Sequence, residues 1–287
     1  MAADDKNNNS YAVLDTGEEQ KLERLGPYQV VRQAAQAHWP KQLQEEQWGQ
    51  VAAVHHRANT GGGHWAPKQN LPQSWPISCG DYRFLIKLTD FGHIGLFPEQ
   101  QDNWDWVRRN SAASEAPRVL NLFGYTGGTT LAAARGGAHV THVDASKGVV
   151  AWARENAAAN QLADKPIRWI TEDVGKYIQR ETNRESRYQG LILDPPSFGR
   201  GPRGQVFKIE DHLVPLLRQL AKITDPLRFI LLSCHTPGYS PWCLKNLLHL
   251  VFSLPLEEIE AGEMTVPVGD SGMVLPSGTY ARWAAKA

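Results

Sequence analysis

Four acidic or glycine-bearing landmarks follow one another along this chain, and their spacing is that of a nucleoside site. The first, Leu120–Thr129, reads Leu-Asn-Leu-Phe-Gly-Tyr-Thr-Gly-Gly-Thr, a glycine-bearing turn after a short apolar run. Glycine lets backbone approach a ligand where a Cβ would clash. The Gly-x-x-Gly-Gly spacing lacks the Gly-x-Gly-x-x-Gly that seats a dinucleotide pyrophosphate, which points to a nucleoside ligand without one. Phe123, Gly124, Tyr125 and Thr126 are the residues expected to line it. About 20 residues on, Asp144 ends the next apolar run, where a carboxylate can accept from both ribose hydroxyls. Asp144 and Ser146 also suit a helix N-cap, and the two roles are compatible. Asp173 follows a third run; its carboxylate can accept from the exocyclic amine of adenine while the Val174 amide donates to the ring. Singly, the turn is equally a bare strand-to-helix connection, and Asp173 alone is more often just another cap. In series they make a nucleoside site.

The fourth landmark, Asp194-Pro195-Pro196-Ser197-Phe198, is the most specific. Two prolines directly after an acid fix an extended backbone, so Asp194 is held rigidly at the end of a buried strand. An acid and carbonyls fixed this way beside a bound nucleoside can hydrogen-bond the Watson–Crick edge of an extruded base, with Phe198, Pro195 and Pro196 at the same edge and Phe198 stacking on it. Arg200 and Arg203, in the glycine-rich stretch that follows, are candidates to clamp a phosphate backbone. Cys234 ends a later apolar run, Leu231-Leu232-Ser233-Cys234-His235. A thiolate there could add at carbon 6 of cytosine and make carbon 5 nucleophilic, which would make Cys234 a covalent catalyst beside Asp194. A buried small hydrophobe is the alternative for that thiol. His235 need not touch it, because neighbouring side chains on a strand point apart.

These residues need a frame. From Arg118 onward short apolar strands and amphipathic helices alternate: strands at 119–123, 140–143, 167–170, 191–193 and 229–232, helices at 131–135, 149–160, 174–180 and 212–223. That is a Rossmann-like α/β fold, a doubly wound, mostly parallel sheet. Residues 256–266 and 279–283 are expected to close it as antiparallel strands. Ahead of it, residues 1–26 read as a mobile arm, and 27–113 as a small α+β unit with two short helices over 28–65 and a β-hairpin over 82–97. The boundary to the 114–287 domain is placed in the small-residue stretch 111–116.

Composition excludes several classes. Thirty basic and thirty acidic residues balance to a formal net charge of zero, so the global electrostatic footprint of a strong nucleic-acid binder is missing and any RNA contact must be a local patch. Cys79, Cys234 and Cys243 form no CxxC pair and have no metal-ligand companions, which indicates reduced thiols, no metal site and a cytoplasmic protein. Residues 1–10 lack the apolar core of a signal peptide, and no run is long enough to span a bilayer. The sequence carries no signal for oligomeric state.

With these motifs in place, the chain resembles the bacterial S-adenosylmethionine-dependent methyltransferases related to the 23S rRNA large-subunit cytosine-5 methyltransferases, from about Phe91 to the C-terminus. The family's Asn-x-Phe-x-Tyr-Thr-Gly loop falls on Asn121–Gly127, its ribose acid on Asp144, its Asp-Pro-Pro on Asp194–Pro196 and its late cysteine on Cys234. Of the stretch leading into its cofactor domain, Phe97 and Gln100 match, while Pro98, Glu99 and Gln101 depart. The resemblance implies S-adenosylmethionine as cofactor, with Phe97 and Gln100 beside it, and methyl transfer to a nucleobase of RNA. Ribosomal RNA is the expected partner and cytosine carbon 5 the expected acceptor atom. An exocyclic amine or a small-molecule acceptor is the alternative.

Overall fold

A computed structural model of the chain describes residues 9–58, 62–201, 204 and 206–286. These form two compact units: residues 1–99 with 265–277, and residues 100–264 with 278–287. The boundary therefore falls at Glu99/Gln100 and not in 111–116.

In the N-terminal unit, β1 (Tyr11–Gly17), β2 (Gln20–Leu25) and β3 (Tyr28–Gln33) are an antiparallel meander. The expected arm over 1–26 is thus corrected for residues 11–25. Its polar letters are buried in partnership instead of solvated. Glu23, wholly buried, accepts from Arg32 Nε and Nη2 at 2.5 and 2.6 Å and from Tyr11 Oη at 2.6 Å, and Lys21 lies 3.3 Å away. Burial alone would raise the Glu23 pKa, but the charges of Arg32 and Lys21 outweigh it and bring it down to about 2. Asp15, also buried, accepts from the amides of Thr16, Gln42 and Leu43 and from Trp48 Nε1.

The two helices expected over 28–65 are one short helix, α1 (Glu45–Gly49), between β3 and the strands β4 (Ala53–Arg57) and β5 (Gly63–Pro67). Val30 and Val31 are consecutive and both buried, which a strand covered on both faces accommodates. The hairpin expected over 82–97 is also different: β7 (Tyr82–Ile86) pairs with β6 (Trp75–Cys79). Beyond β7 the chain turns with Gly92 at φ +76°, and the bonds Lys87 N to Ile94 O and Thr89 N to His93 O close a loop.

The C-terminal unit opens with α2 (Gln101–Ala112), which buries Trp104, Trp106 and Val107. Alternating strands and helices follow: β8 (Arg118–Leu122), α3 (Gly128–Arg135), β9 (His139–Asp144), α4 (Lys147–Ala159), β10 (Ile167–Thr171), α5 (Val174–Asn183) and β11 (Tyr188–Leu193). A small ribbon, β12 (Phe198–Arg200) with β13 (Val206–Lys208), precedes α6 (Ile209–Ala221), β14 (Thr224–Cys234) and α7 (Pro241–Phe252). The last strands are β15 (Glu260–Val268) and β16 (Met273–Ala284). Helix α7 is absent from the sequence expectation, although Ser240 caps it and Pro241 occupies its first turn.

Strand order is β10-β9-β8-β11-β14-β16-β15, parallel from β10 to β14, with β16 antiparallel to β14. This is the expected doubly wound sheet with its antiparallel closure. The order reverses between β8 and β11, and at such a switch point the loops diverge and leave a crevice. Register sets the crevice floor: Leu193 lies opposite both Leu122 and Leu232, so the loops starting at Phe123 and Asp194 leave the sheet at one level, and β14 runs two residues further, to Cys234. Leu120, Leu122, Leu191, Leu193, Ile230 and Leu232 below them are essentially inaccessible. Burying each such side chain contributes roughly 1.5–3 kcal/mol, which makes the strand ends a stiff base for the loops.

Candidate active site

The loop after β8 is held in a sparsely populated backbone conformation: φ is +56° at Phe123, +47° at Tyr125 and +92° at Gly127. Left-handed backbone at two non-glycine residues costs energy, and it persists where surrounding bonds enforce it. Those bonds are Gly124 N to Val143 O at 3.1 Å, Gly127 N to Gly124 O at 3.0 Å, and Asn156 Nδ2 to Thr126 O at 2.9 Å. Glycine is required at 124, where a Cβ would stand 2.5 Å from the His142 ring.

His142 is fully buried, and burial lowers its pKa to about 3, so the ring under the loop is neutral. Asn121 Nδ2 donates to Thr130 Oγ1 at 2.7 Å, which leaves the hydroxyl to donate to His142 Nδ1, 2.9 Å away. The proton of the neutral ring is then on Nε2, which has no hydrogen-bond partner among the described residues. This uncharged stack supports the loop without competing for the acids around it.

Asp144 bridges the loop after β8 and the start of α4. Its Oδ2 accepts from Tyr125 N at 3.1 Å and its Oδ1 from Ser146 N at 2.9 Å. A carboxylate oxygen accepts twice, so each keeps a lone pair for a hydroxyl. Burial raises the Asp144 pKa, and the two amides oppose that rise. Ser146 caps α4 by accepting from Val149 N, and Asp173 caps α5 by accepting from Lys176 N at 3.0 Å. Val174, next to it, is buried. The donor and acceptor set fits S-adenosylmethionine: an acid with lone pairs left for a ribose diol, a glycine spacing other than that of a pyrophosphate loop, and carboxylates suited to a cationic sulfonium.

Asp194 follows β11. Burial would raise its pKa, and His235, Ser233 and Gln100 more than reverse that, leaving it below the ordinary carboxylate value. Gln100 Nε2 donates to Ser233 Oγ at 2.9 Å and lies 3.3 Å from Asp194 Oδ2. Gln100 Oε1 accepts from Asn103 Nδ2 at 2.8 Å, Asn103 Oδ1 from Arg282 Nη1 at 3.0 Å, and Arg282 grips Glu260 through Nε and Nη2. Gln100 thus touches Asp194 within its unit. Phe97 belongs to the N-terminal unit, where its ring meets that of His93 edge-on at 5.6 Å. Asn103 and Arg282 escaped the sequence reading, because residues 179 positions apart carry no local signal of their pairing.

Pro195 is buried and Pro196 exposed. Ser197 Oγ bonds Thr236 Oγ1 at 2.7 Å, tying the loop after β11 to the loop after β14. Phe198 is half exposed on the β12–β13 ribbon, with the Arg200 guanidinium 5.7 Å from its ring centre. Arg203 lies outside the described residues.

Cys234 ends β14 with 1% of its surface exposed. Burial pushes the thiol pKa up, and the Asp194 charge pushes it the same way against the Thr236 amide, whose N is 3.4 Å from Sγ. The next residue, His235, places Nδ1 3.3 Å from Asp194 Oδ1. A Cβ on Gly278, whose φ is +127°, would stand 3.0 Å from His235 Cδ2. Among the described residues no group of His, Cys, Asp and Glu could hold a metal, and no helix is long and apolar enough to cross a membrane.

Residues 41–246 match the model of a family described as S-adenosylmethionine-dependent methyltransferase. A crystal structure of the SAM-dependent methyltransferase from Agrobacterium tumefaciens superimposes with a TM-score of 0.88 at 36% identity, covering 96% of this chain and 91% of that one. Two curated relatives bear the name ribosomal RNA large subunit methyltransferase K/L. The Syntrophotalea carbinolica protein is 30% identical over 59% of this chain and 23% of its own length. The Pseudomonas aeruginosa protein is 36% identical over 49% of this chain and 19% of its own. The chain therefore aligns with about a fifth of each curated relative.

Proposed function

Because the chain belongs to the S-adenosylmethionine-dependent methyltransferase family, we propose that it methylates a nucleobase of RNA, ribosomal RNA being favoured, and that the acceptor atom is an exocyclic amine held by Asp194. The bound cofactor supplies an electrophilic methyl group on a sulfonium. Phe123, Gly124, Tyr125, Thr126, Asp144, Ser146, Asp173 and Val174 hold its nucleoside. The observation that carries the acceptor reading is Asp194 itself: an ionised carboxylate, oriented by Gln100, at the crevice edge in front of two prolines. It accepts an amine N–H and aims the nitrogen lone pair at the methyl group. The half-exposed Phe198 ring, with Arg200 beside it, supports stacking of an extruded base and contact with a phosphate. Pro195 and Pro196 keep this edge stiff. The RNA acceptor draws further support from the names of the curated relatives.

Cytosine carbon 5 is the second reading, supported by the place of Cys234 beside Asp194. Its requirement, a reactive thiolate, runs against a buried thiol with a raised pKa. The amine reading needs no thiolate. The test is incubation of the purified chain and methyl-labelled cofactor with total RNA from a strain lacking the gene and from its parent. Label is expected in large-subunit ribosomal RNA of the deletion strain alone. Label in a small-molecule extract and in neither RNA would move the acceptor to a small molecule.

A further inference from the structure

We propose that His235 is the proton acceptor of the methyl transfer, with Asp194 setting its tautomer and Gly278 setting its position. This rests on the amine reading above.

The geometry supplies each part. Asp194 Oδ1 is buried, has no aligned hydrogen-bond donor among the described residues, and faces His235 Nδ1 at 3.3 Å. An ionised carboxylate only accepts, so the ring nitrogen that faces it carries the proton. In the neutral ring Nε2 is then the basic nitrogen. The opposite edge of the imidazole is fixed as well: His235 Cδ2 packs against Gly278 so closely that a Cβ there would stand 3.0 Å away. Ser197 and Thr236, bonded at 2.7 Å, tie the segments carrying the acid and the imidazole to each other. The side chain is one-third exposed, as a group that exchanges protons with an incoming substrate must be.

The chemistry balances. The amine nitrogen lone pair forms the N–C bond as the C–S bond breaks and leaves its electron pair on a neutral thioether. The nitrogen, now cationic, passes one proton to His235 Nε2. One positive charge disappears at the sulfonium and one appears on the imidazolium, 3.3 Å from the Asp194 carboxylate. Asp194 stays ionised throughout, so it steadies the product charge without moving a proton.

The titratable groups around His235 separate cleanly. Asp194 is held below the usual carboxylate range, while Cys234 and Tyr239, in the same stretch, are pushed up. Gly278 and Met264, from the two last strands, do not titrate. A rate limb lost on replacing His235 therefore belongs to the imidazole.

The experiment uses His235→Asn, whose amide can keep the contact to Asp194 but cannot take the proton. Single-turnover transfer to ribosomal RNA from the deletion strain should fall roughly 10²-fold or more, with cofactor Kd and RNA KM nearly unchanged. Wild-type rates should rise about tenfold per pH unit below the imidazole pKa and then level, and the variant should lose that limb. Wild-type turnover and an unchanged pH profile in the variant would overturn the proposal. A second readout needs no acceptor: ¹⁵N NMR of His235, assigned against the variant, should show Nδ1–H, with a pKa that falls in Asp194→Asn. An Nε2–H tautomer overturns the base assignment whatever the acceptor is. Failure to label any RNA, with the expected tautomer intact, overturns the acceptor reading alone.

Discussion

Arg282 donates from Nη1 to Asn103 Oδ1 over 3.0 Å, and through that bond an ion pair on the last strands reaches the carboxylate at the crevice. Beyond Asn103 lies Gln100, and beyond Gln100 lie Ser233 and Asp194.

Asn103→Ala should therefore act on catalysis and on stability together. It leaves an Arg282 N–H and the Gln100 carbonyl without partners in a buried place, a loss of about 1–3 kcal/mol by denaturant unfolding. A loosened Gln100 lets Asp194 drift, so single-turnover methyl transfer should drop roughly ten- to a hundredfold while the cofactor Kd moves little. An unchanged rate in a destabilised variant would show that the chain of bonds is structural only.

Gly124→Ala should abolish cofactor binding. The added methyl would meet the His142 ring at 2.5 Å, and that ring is fully buried. Overpacking of this kind costs about 1–3 kcal/mol, and relief requires the Phe123–Gly127 backbone to shift. Calorimetric titration with S-adenosylmethionine checks the binding, and a thermal melt checks the fold.

Cys234→Ala separates the two acceptor readings. Under the amine reading the variant labels RNA within about threefold of wild type, since no covalent step is lost. Loss of transfer with retained cofactor binding would favour carbon 5. A product digest, read by mass spectrometry, identifies the methylated base in either case.

The N-terminal unit should be acid-sensitive through Glu23. Its folded pKa, about 2, lies below the ordinary 4.5, so its ionisation stabilises the fold fully above pH 4.5. That contribution, on the order of 3 kcal/mol, fades as pH falls from 4.5 towards 2. Urea unfolding across this range should show the loss in wild type and a flatter profile in Glu23→Gln. Parallel profiles would mean that other carboxylates govern acid unfolding.

The C-terminal unit was legible because short, mostly apolar strands alternate with helices whose starts carry Ser146 and Asp173, which the structure uses as caps. Asp144 was legible for the same reason, as an acid at the end of a periodic run. The first 26 residues misled because Asp15, Glu23 and Lys21 look solvated by composition, whereas Glu23 meets Arg32 across β2 and β3, Lys21 meets Glu23 along its own strand, and Asp15 meets Trp48 of the short helix. Polar letters signal exposure only where the fold brings no partner. Ser240-Pro241 was a visible helix start left unread. The Asp194–His235 contact was not visible at all, since it depends on which strand ends share a level.

The hairpin of β15 and β16 makes the gene's architecture non-modular. Its tip, residues 265–277, belongs with residues 1–99, and Val268 pairs with Val13 there. The N-terminal unit is therefore encoded in two pieces, and no single cut in the chain releases it. A fusion or truncation that divides the protein at Gln100 would leave residues 265–277 of the N-terminal unit on the C-terminal piece, so domain exchange with a relative has to carry both segments at once.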